Sequence, residues 1–346
     1  MPTIICFLLI AIAVFLVCGR GHKPGKLPPG PCPLPILGNL FQLGGEKLYH
    51  KAVTKLSKVY GPLMSIKLGN QMIFVVSSPN LVREISKKYD HTFNGRIDLD
   101  ASRALDHHKF SIAWIPSAFE DIITQRLQAR GTSPTSGSGK GDLLEVFLDL
   151  CQHREAGWSC NDVKHFLLDL FFGATDTTSS TVEWAMVELL RSPDKKEKAR
   201  AEIRDVIEQG KSVKESDISR LPYLQAVVKE TLRLHPPAPI LPRKADTDIE
   251  VDSYILPKDS LIVFNLWGMG RDSNLWLNPD SFVPERFLNS EIDDKGQHFK
   301  LTPLVREGEF VLDILWLSEC CILCWLLLFI TLIGSLKRGL NQKTWT

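Results

Sequence analysis

Two small groups of residues have the types and spacing for chemistry. The first is Asp176 followed by Thr177, inside Gly173-Ala174-Thr175-Asp176-Thr177-Thr178-Ser179-Ser180-Thr181. A carboxylate next to an alcohol on a buried helix is a reasonable proton-delivery pair. The alternative is a Ser/Thr-lined helix contact with no chemistry. The second group is Glu230 and Arg233, three apart in Lys229-Glu230-Thr231-Leu232-Arg233 and hence on one helix face. Such a pair is often solvated and contributes little. Here Leu224, Val227, Val228, Leu232 and Leu234 crowd the same helix. A buried Glu–Arg pair then needs further hydrogen-bond partners. Arg286, on the proline-led turn Pro284-Glu285-Arg286-Phe287, is the candidate.

The elements that must position these residues follow from periodicity. Residues 161–191 form a long helix, with Val163, Phe166, Leu167, Leu170 and Phe171 before the hydroxyl-rich centre and Trp184, Ala185, Val187 and Leu189 after it. A helix apolar nearly all round is buried. Ser and Thr bonding to carbonyls one turn back can bend or bulge its middle. A charged helix over 194–209 follows Ser192-Pro193, and another from about 221 ends before Pro236-Pro237. Near the N-terminus, 46–60 reads as a helix, 63–68 and 72–76 as strands joined at Gly69-Asn70, and 79–89 as a helix opened by Pro79. Residues 131–141 are a linker by composition, 142–152 a helix, and 239–266 short strands and turns. The fold class is mainly α with a small β-sheet.

Composition bounds the function. The 346 residues carry 41 Lys+Arg against 40 Asp+Glu, a net charge of +1, which gives no reason to expect a nucleic-acid partner. Eight cysteines are too sparse for a disulfide scaffold. Cys321 and Cys324 spell C-x-x-C, but a zinc site needs a second ligand pair, and none is nearby.

Both ends carry apolar runs. Residues 4–17 are uninterrupted, and Arg20, Lys23 and Lys26 follow, then Pro28, Pro29, Pro31, Pro33 and Pro35. Positive charge after the run keeps the following chain cytosolic. Residues 1–19 therefore read as an N-terminal membrane anchor and 20–36 as a basic, proline-rich hinge. A cleaved signal peptide is the competing reading. Residues 320–336 are also free of charge and offer a second span.

In this order, the proline hinge, the G-A-T-D-T-T centre, E-T-L-R and P-E-R-F resemble a plant microsomal cytochrome P-450, a haem-thiolate monooxygenase. The wording of 161–299 is similar to the branch of geraniol and other terpenoid hydroxylases. The resemblance covers 1–116 and 119–303. It implies that Asp176 and Thr177 feed protons to iron-bound dioxygen, that Ala174 and Thr177 line the haem's distal side, and that Glu230, Arg233 and Arg286 form a buried structural triad. It also implies that Arg243 meets a haem propionate, a task suited to an always-charged fork. The implied cofactor is haem b. The implied partners are NADPH-cytochrome P-450 reductase and a small lipophilic, terpenoid substrate, and the implied place is the endoplasmic reticulum membrane, body facing the cytosol.

Three departures qualify the match. Gly173-Ala174 reverses the family's usual order. After His107 to Pro116 the text jumps, near 117–118, to Phe119-Glu120-Asp121-Ile122, which resembles a helix much further along, so 37–303 is an incomplete catalytic domain with an internal deletion. Third, the F-x-x-G-x-R-x-C-x-G loop that presents the axial thiolate is absent after Pro303, and no residue here is assigned to the metal. Removing one nucleotide from the second codon of a message for P-F-G-A-G-R-R-I-C-P-G gives residues 303–313 as they stand. Restoring the frame turns 329–346 into H-Y-F-D-W-K-L-E-E-G-I-K-P-E-D-M-D, a normal family tail. Residues 304–346 are then a non-family tail from a frameshift, and the chain as written is expected to be inactive. A non-catalytic, membrane-tethered partner or decoy is the reading from another class.

Overall fold

The computed structural model describes residues 27–89, 160–207 and 214–288, with side chains of the long helix described from 175. The expected anchor, the 117–118 junction, the 131–141 linker, the 142–152 helix and the tail from 304 lie outside the described residues. The chain divides into two compact units, Met1–Ile97 with Thr177–Thr346, and Asp98–Asp176. The described packing below belongs to the first.

Helix α1 (Leu40–Gly44) and helix α2 (Tyr49–Tyr60) lead into strands β1 (Leu63–Leu68) and β2 (Gln71–Val76), then α3 (Pro79–Tyr89). Gly69, with φ 56, supplies the positive φ that the two-residue turn between the strands demands. Helix α4 (Cys160–Arg191), α5 (Pro193–Val206), a 3₁₀ turn (Glu215–Arg220) and α6 (Pro222–Leu234) follow. The helices predicted within the described residues, and the hairpin, match these elements to within a few residues at each end. The 239–266 region resolves into β3 (Leu241–Lys244), β4 (Ile249–Val251), β5 (Tyr254–Leu256) and β6 (Leu261–Phe264). Helix α7 (Leu266–Gly270) and a 3₁₀ turn (Pro284–Phe287) close the described chain.

The main sheet runs β1-β2-β6-β3. β2 pairs with β6 in parallel, Ile73 opposite Leu261 and Val76 opposite Phe264, and the other neighbours are antiparallel. That parallel pair joins the first quarter of the chain to its last third. A buried polar contact supports it: Asn265 takes a bond from the Thr54 hydroxyl at 3.2 Å and gives one to the Ser77 hydroxyl at 3.0 Å. Apolar side chains sort into three clusters. One joins α5 and α6 through Ile203, Leu224 and Val227, another lies between the sheet and α3 through Phe74, Ile85 and Phe264, and a third sits under α2 through Val53, Ile66 and Val75. Among the described residues no helix is long and apolar enough to cross a membrane.

Helix α4 departs from expectation in two ways. It is α-helical throughout, without a bulge at its hydroxyl-rich centre. The Thr181 hydroxyl donates to the Thr177 carbonyl at 2.8 Å, one turn back, so the ladder absorbs the extra bond without breaking. The helix is also not buried all round. Thr181, Ala185, Glu188 and Leu189 face inward, whereas Asp176, Trp184 and Leu190 are exposed. A 3.6-residue period allows one stripe to pack while the other meets water.

Candidate functional site

Glu230 and Arg233 sit in the last two turns of α6, and the 3₁₀ turn brings Arg286 to them. Arg233 grips Glu230 through both prongs, Nε to Oε2 at 2.7 Å and Nη2 to Oε1 at 2.8 Å. Arg286 Nε donates to Oε1 at 3.1 Å, and the Val283 amide to the same oxygen at 2.7 Å. The rest of the Arg233 fork donates to the carbonyls of Gly270, Pro279 (2.7 Å) and Ser281 (3.0 Å). Arg286 Nη1 holds the Leu277 carbonyl at 3.0 Å. Both side chains of the Glu230–Arg233 pair are fully buried, and the donors and acceptors that burial demands are therefore present.

The surroundings fit this lock. Arg233 lies over the Trp276 ring, 5.4 Å from its centroid, and the Trp276 indole N–H reaches the Met269 carbonyl at 3.1 Å. A Cβ on Gly270 would come within 2.3 Å of the Arg233 carbonyl oxygen, so only glycine permits α7 to approach α6 there. The three residues singled out in the sequence are brought together, as expected. The carbonyl partners were not legible, because no side-chain type marks them.

The other candidates lie elsewhere. Asp176 and Thr177 are consecutive on α4, Asp176 exposed and Thr177 half-buried. The dry setting expected for the carboxylate is therefore not present. Ala174 lies on the same helix, with its side chain outside the described ones. Arg243 is half-buried on β3, opposite Ile262 of β6, apart from the lock.

Two polar arrangements were missed. Glu202, on α5, accepts the Tyr223 amide at 2.7 Å and the Leu224 amide at 2.9 Å, capping α6 in place of a local N-cap side chain. Burial raises the Glu202 pKa despite those two donors. Glu202→Ala is expected to cost about 1–2 kcal/mol of stability, the usual value of an N-cap, read as a lower urea midpoint. A Gln at this position, which keeps one acceptor oxygen, should lose less.

His235, at the end of α6, bonds Glu188 Oε1 of α4 through Nε2 at 2.9 Å and stacks flat on Trp184 with centroids 4.0 Å apart. Burial lowers its pKa, outweighing the Glu188 carboxylate, and the cations Arg271 and Arg191 lower it further. Below the ordinary histidine range the unfolded chain takes up a proton that the folded chain refuses. Stability from this site is thus full above about pH 6.5 and falls as pH drops below it. His235→Gln should flatten the fall in melting temperature between neutral pH and about pH 5.

Among the described residues no three His, Cys, Asp or Glu side chains converge on one point. Cys32 is an exposed cysteine on the N-terminal segment. Its surroundings, Gly30-Pro31-Cys32-Pro33, are not the F-x-x-G-x-R-x-C-x-G pattern that presents the axial thiolate, so the described residues do not fit an axial sulfur ligand.

Comparison with known proteins gives the family. The profile described as Cytochrome P450 matches residues 28–113 and 101–303. Cytochrome P450 76T24 of Catharanthus roseus is 37% identical over 409 aligned positions, covering 81% of this chain and 81% of the relative. Carnosic acid synthase of Rosmarinus officinalis is 33% identical over 417 positions, with 82% of each chain covered. Ferruginol synthase of Isodon rubescens is 32% identical over 422 positions, with 85% of each covered. The three alignments are longer than the 346-residue chain itself, so each relative carries positions for which this chain has no residue. With the profile spanning most of the chain and the Glu230–Arg233–Arg286 lock closed inside it, this protein belongs to the cytochrome P450 family, in the plant branch of these relatives.

Proposed function

We propose that the chain derives from a haem-dependent monooxygenase of small lipophilic, terpenoid substrates, and that as written it keeps the scaffold and lacks the chemistry. The observation that carries this is the pairing of a closed structural lock with a sequence after Pro303 that offers no thiolate loop. Haem in this family owes its oxygen chemistry to a cysteine thiolate, whose electron donation favours O–O cleavage. Asp176 and Thr177 retain the acid–alcohol pair, and Arg243 the cation for a propionate, but these groups position and protonate; they cannot replace sulfur. Relatives named for making carnosic acid and ferruginol, both diterpenoids, support the substrate class.

The internal deletion belongs to the same proposal. It is supported by alignments longer than the chain and by a profile match in two stretches that meet at 101–113. Missing helices also offer a reason for the exposure of Asp176 and Trp184, which more cover would bury. Residues 1–19 remain the proposed anchor in the endoplasmic reticulum membrane, 20–36 the hinge, and 304–346 the frameshifted tail. Electrons would come from the NADPH-dependent reductase. The test is the carbon-monoxide difference spectrum of the reduced, expressed chain. No thiolate-type Soret band is expected, and a normal band would overturn the proposal.

A second reading is favoured by the buried lock and the β2–β6 pairing, which close without the middle of the chain. It is a folded, non-catalytic body tethered beside the reductase or another partner. Limited proteolysis separates it from an unfolded remnant: protection of residues past Pro31 supports the folded body, and uniform cleavage removes it.

A further inference from the structure

The 3₁₀ turn that carries Arg286 has all four of its side chains committed. Pro284 and Phe287 are buried, and the Phe287 and Trp276 rings lie 5.8 Å apart between centroids. Arg286 reaches Glu230, in the C-terminal half of α6. Glu285 reaches the N-terminal turn of the same helix instead. Its Oε1 accepts from the Tyr223 hydroxyl at 3.2 Å and from Lys198 Nζ of α5 at 3.0 Å. The Lys198 ammonium also lies over the Tyr223 ring, 4.3 Å from its centroid. Neither the lock nor the Glu202 cap uses these three side chains.

The three contacts differ in weight. The Lys198–Glu285 pair is 50% and 40% exposed, and a pair so open to water contributes little by itself. Tyr223 is buried, with its ring in the apolar cluster that joins α5 to α6. A buried phenol needs a partner for its hydroxyl, and Glu285 supplies it. Burial pushes the Tyr223 pKa well above its ordinary value, and the Glu285 carboxylate raises it further, so the hydroxyl stays a donor throughout the physiological range. The Tyr223 amide is held as well, by Glu202, so ring and main chain are fixed together.

Tyr223 and Glu230 lie about two helical turns apart on α6, or about 10 Å along its axis. The 3₁₀ turn is therefore gripped at two points along one helix, through Glu285 near its start and through Arg286 further on. A single grip leaves a short turn free to pivot about it, whereas two set its orientation. We infer that Glu285 and Tyr223 are positioning residues for the lock: they orient the turn so that the Arg286 guanidinium meets Glu230, and Lys198 is the solvent-accessible end of the same arrangement. The inference concerns the folded body and does not depend on haem.

The experiment uses the full chain in detergent micelles, labelled with nitrogen-15 arginine. Exchange of the Arg286 and Arg233 Nε–H groups with water is read by NMR. Glu285→Gln and Tyr223→Phe should each speed exchange at Arg286 about tenfold and leave the fully buried Arg233 within about twofold of the parent. Lys198→Met should do less, and Lys198→Arg should restore the parent rate. Unfolding in urea adds a double-mutant cycle. Glu285→Gln should lower the folding constant about fivefold less in an Arg286→Ala background than alone, because no guanidinium is left to orient. Exchange at Arg286 that is unchanged in both variants overturns the inference. Equal speeding at both arginines also overturns it, since that reports a general loss of stability, whether the chain stays folded or not.

Discussion

Glu230→Ala is expected to remove most of the stability of the folded body. The substitution leaves two guanidinium groups, Arg233 fully buried and Arg286 mostly so, facing an emptied site. Breaking a buried pair by deleting one partner costs about 3–5 kcal/mol, against a usual total of about 5–15 kcal/mol for a domain. The Val283 amide loses its acceptor in the same step. Arg233→Ala should be at least as severe, because the carbonyls of Gly270, Pro279 and Ser281 lose their donor together with Glu230. Arg286→Ala should be milder, since that side chain is partly open to water, which can replace it. Trp276 lies against both arginines, so tryptophan fluorescence during urea unfolding reports on the lock. An order of Arg233 and Glu230 well above Arg286 is expected. If all three variants unfold within about 1 kcal/mol of the parent, the triad contributes no more than an exposed ion pair would and the folded-body reading loses its main support.

The lock shows what a single sequence makes visible. Glu230 and Arg233 announce themselves by an i, i+3 spacing on a helix dense with Leu and Val, and Arg286 by a proline-led turn. Local rules also place the β1–β2 hairpin and the helix opened by Pro79, because hydrophobic period and turn chemistry act within a few residues. The partners of Arg233 were not readable, since backbone carbonyls look alike in every residue. Glu202 escaped for a related reason. Its amides lie on another helix, 21 residues on, and the α6 N-terminus shows Leu221 and Pro222 where a capping side chain would be sought. His235 and Glu188 are separated by 47 residues, and nothing in the sequence aligns them. Asp176 failed in the opposite direction. Its helix reads as apolar on all sides, but burial depends on what packs over each stripe, and that is a property of the rest of the chain.

Reinstating one nucleotide at the Pro303–Leu304 codon boundary is the second change with a large expected effect. Under the proposed frameshift, the rest of the message would then encode a glycine-bearing loop with a cysteine, and a family tail in place of residues 304–346. The parent chain is expected to show no thiolate-type band in the reduced carbon-monoxide spectrum. The repaired chain should show one, because that band reports a cysteine thiolate on the haem iron. Its amplitude should stay below one haem per chain if, as proposed, the middle of the domain is deleted, since repair of the loop does not return it. Restoring the middle as well should raise haem content without moving the band, as residues that clasp the porphyrin edge do not change the donor atom. A repaired loop that gives no band, in a chain whose proteolysis pattern shows it folded, would mean that the deletion rather than the frameshift abolishes haem binding. Sequencing the transcript across this boundary gives an independent check: the lost base predicts a cysteine loop in the neighbouring frame and nowhere else downstream.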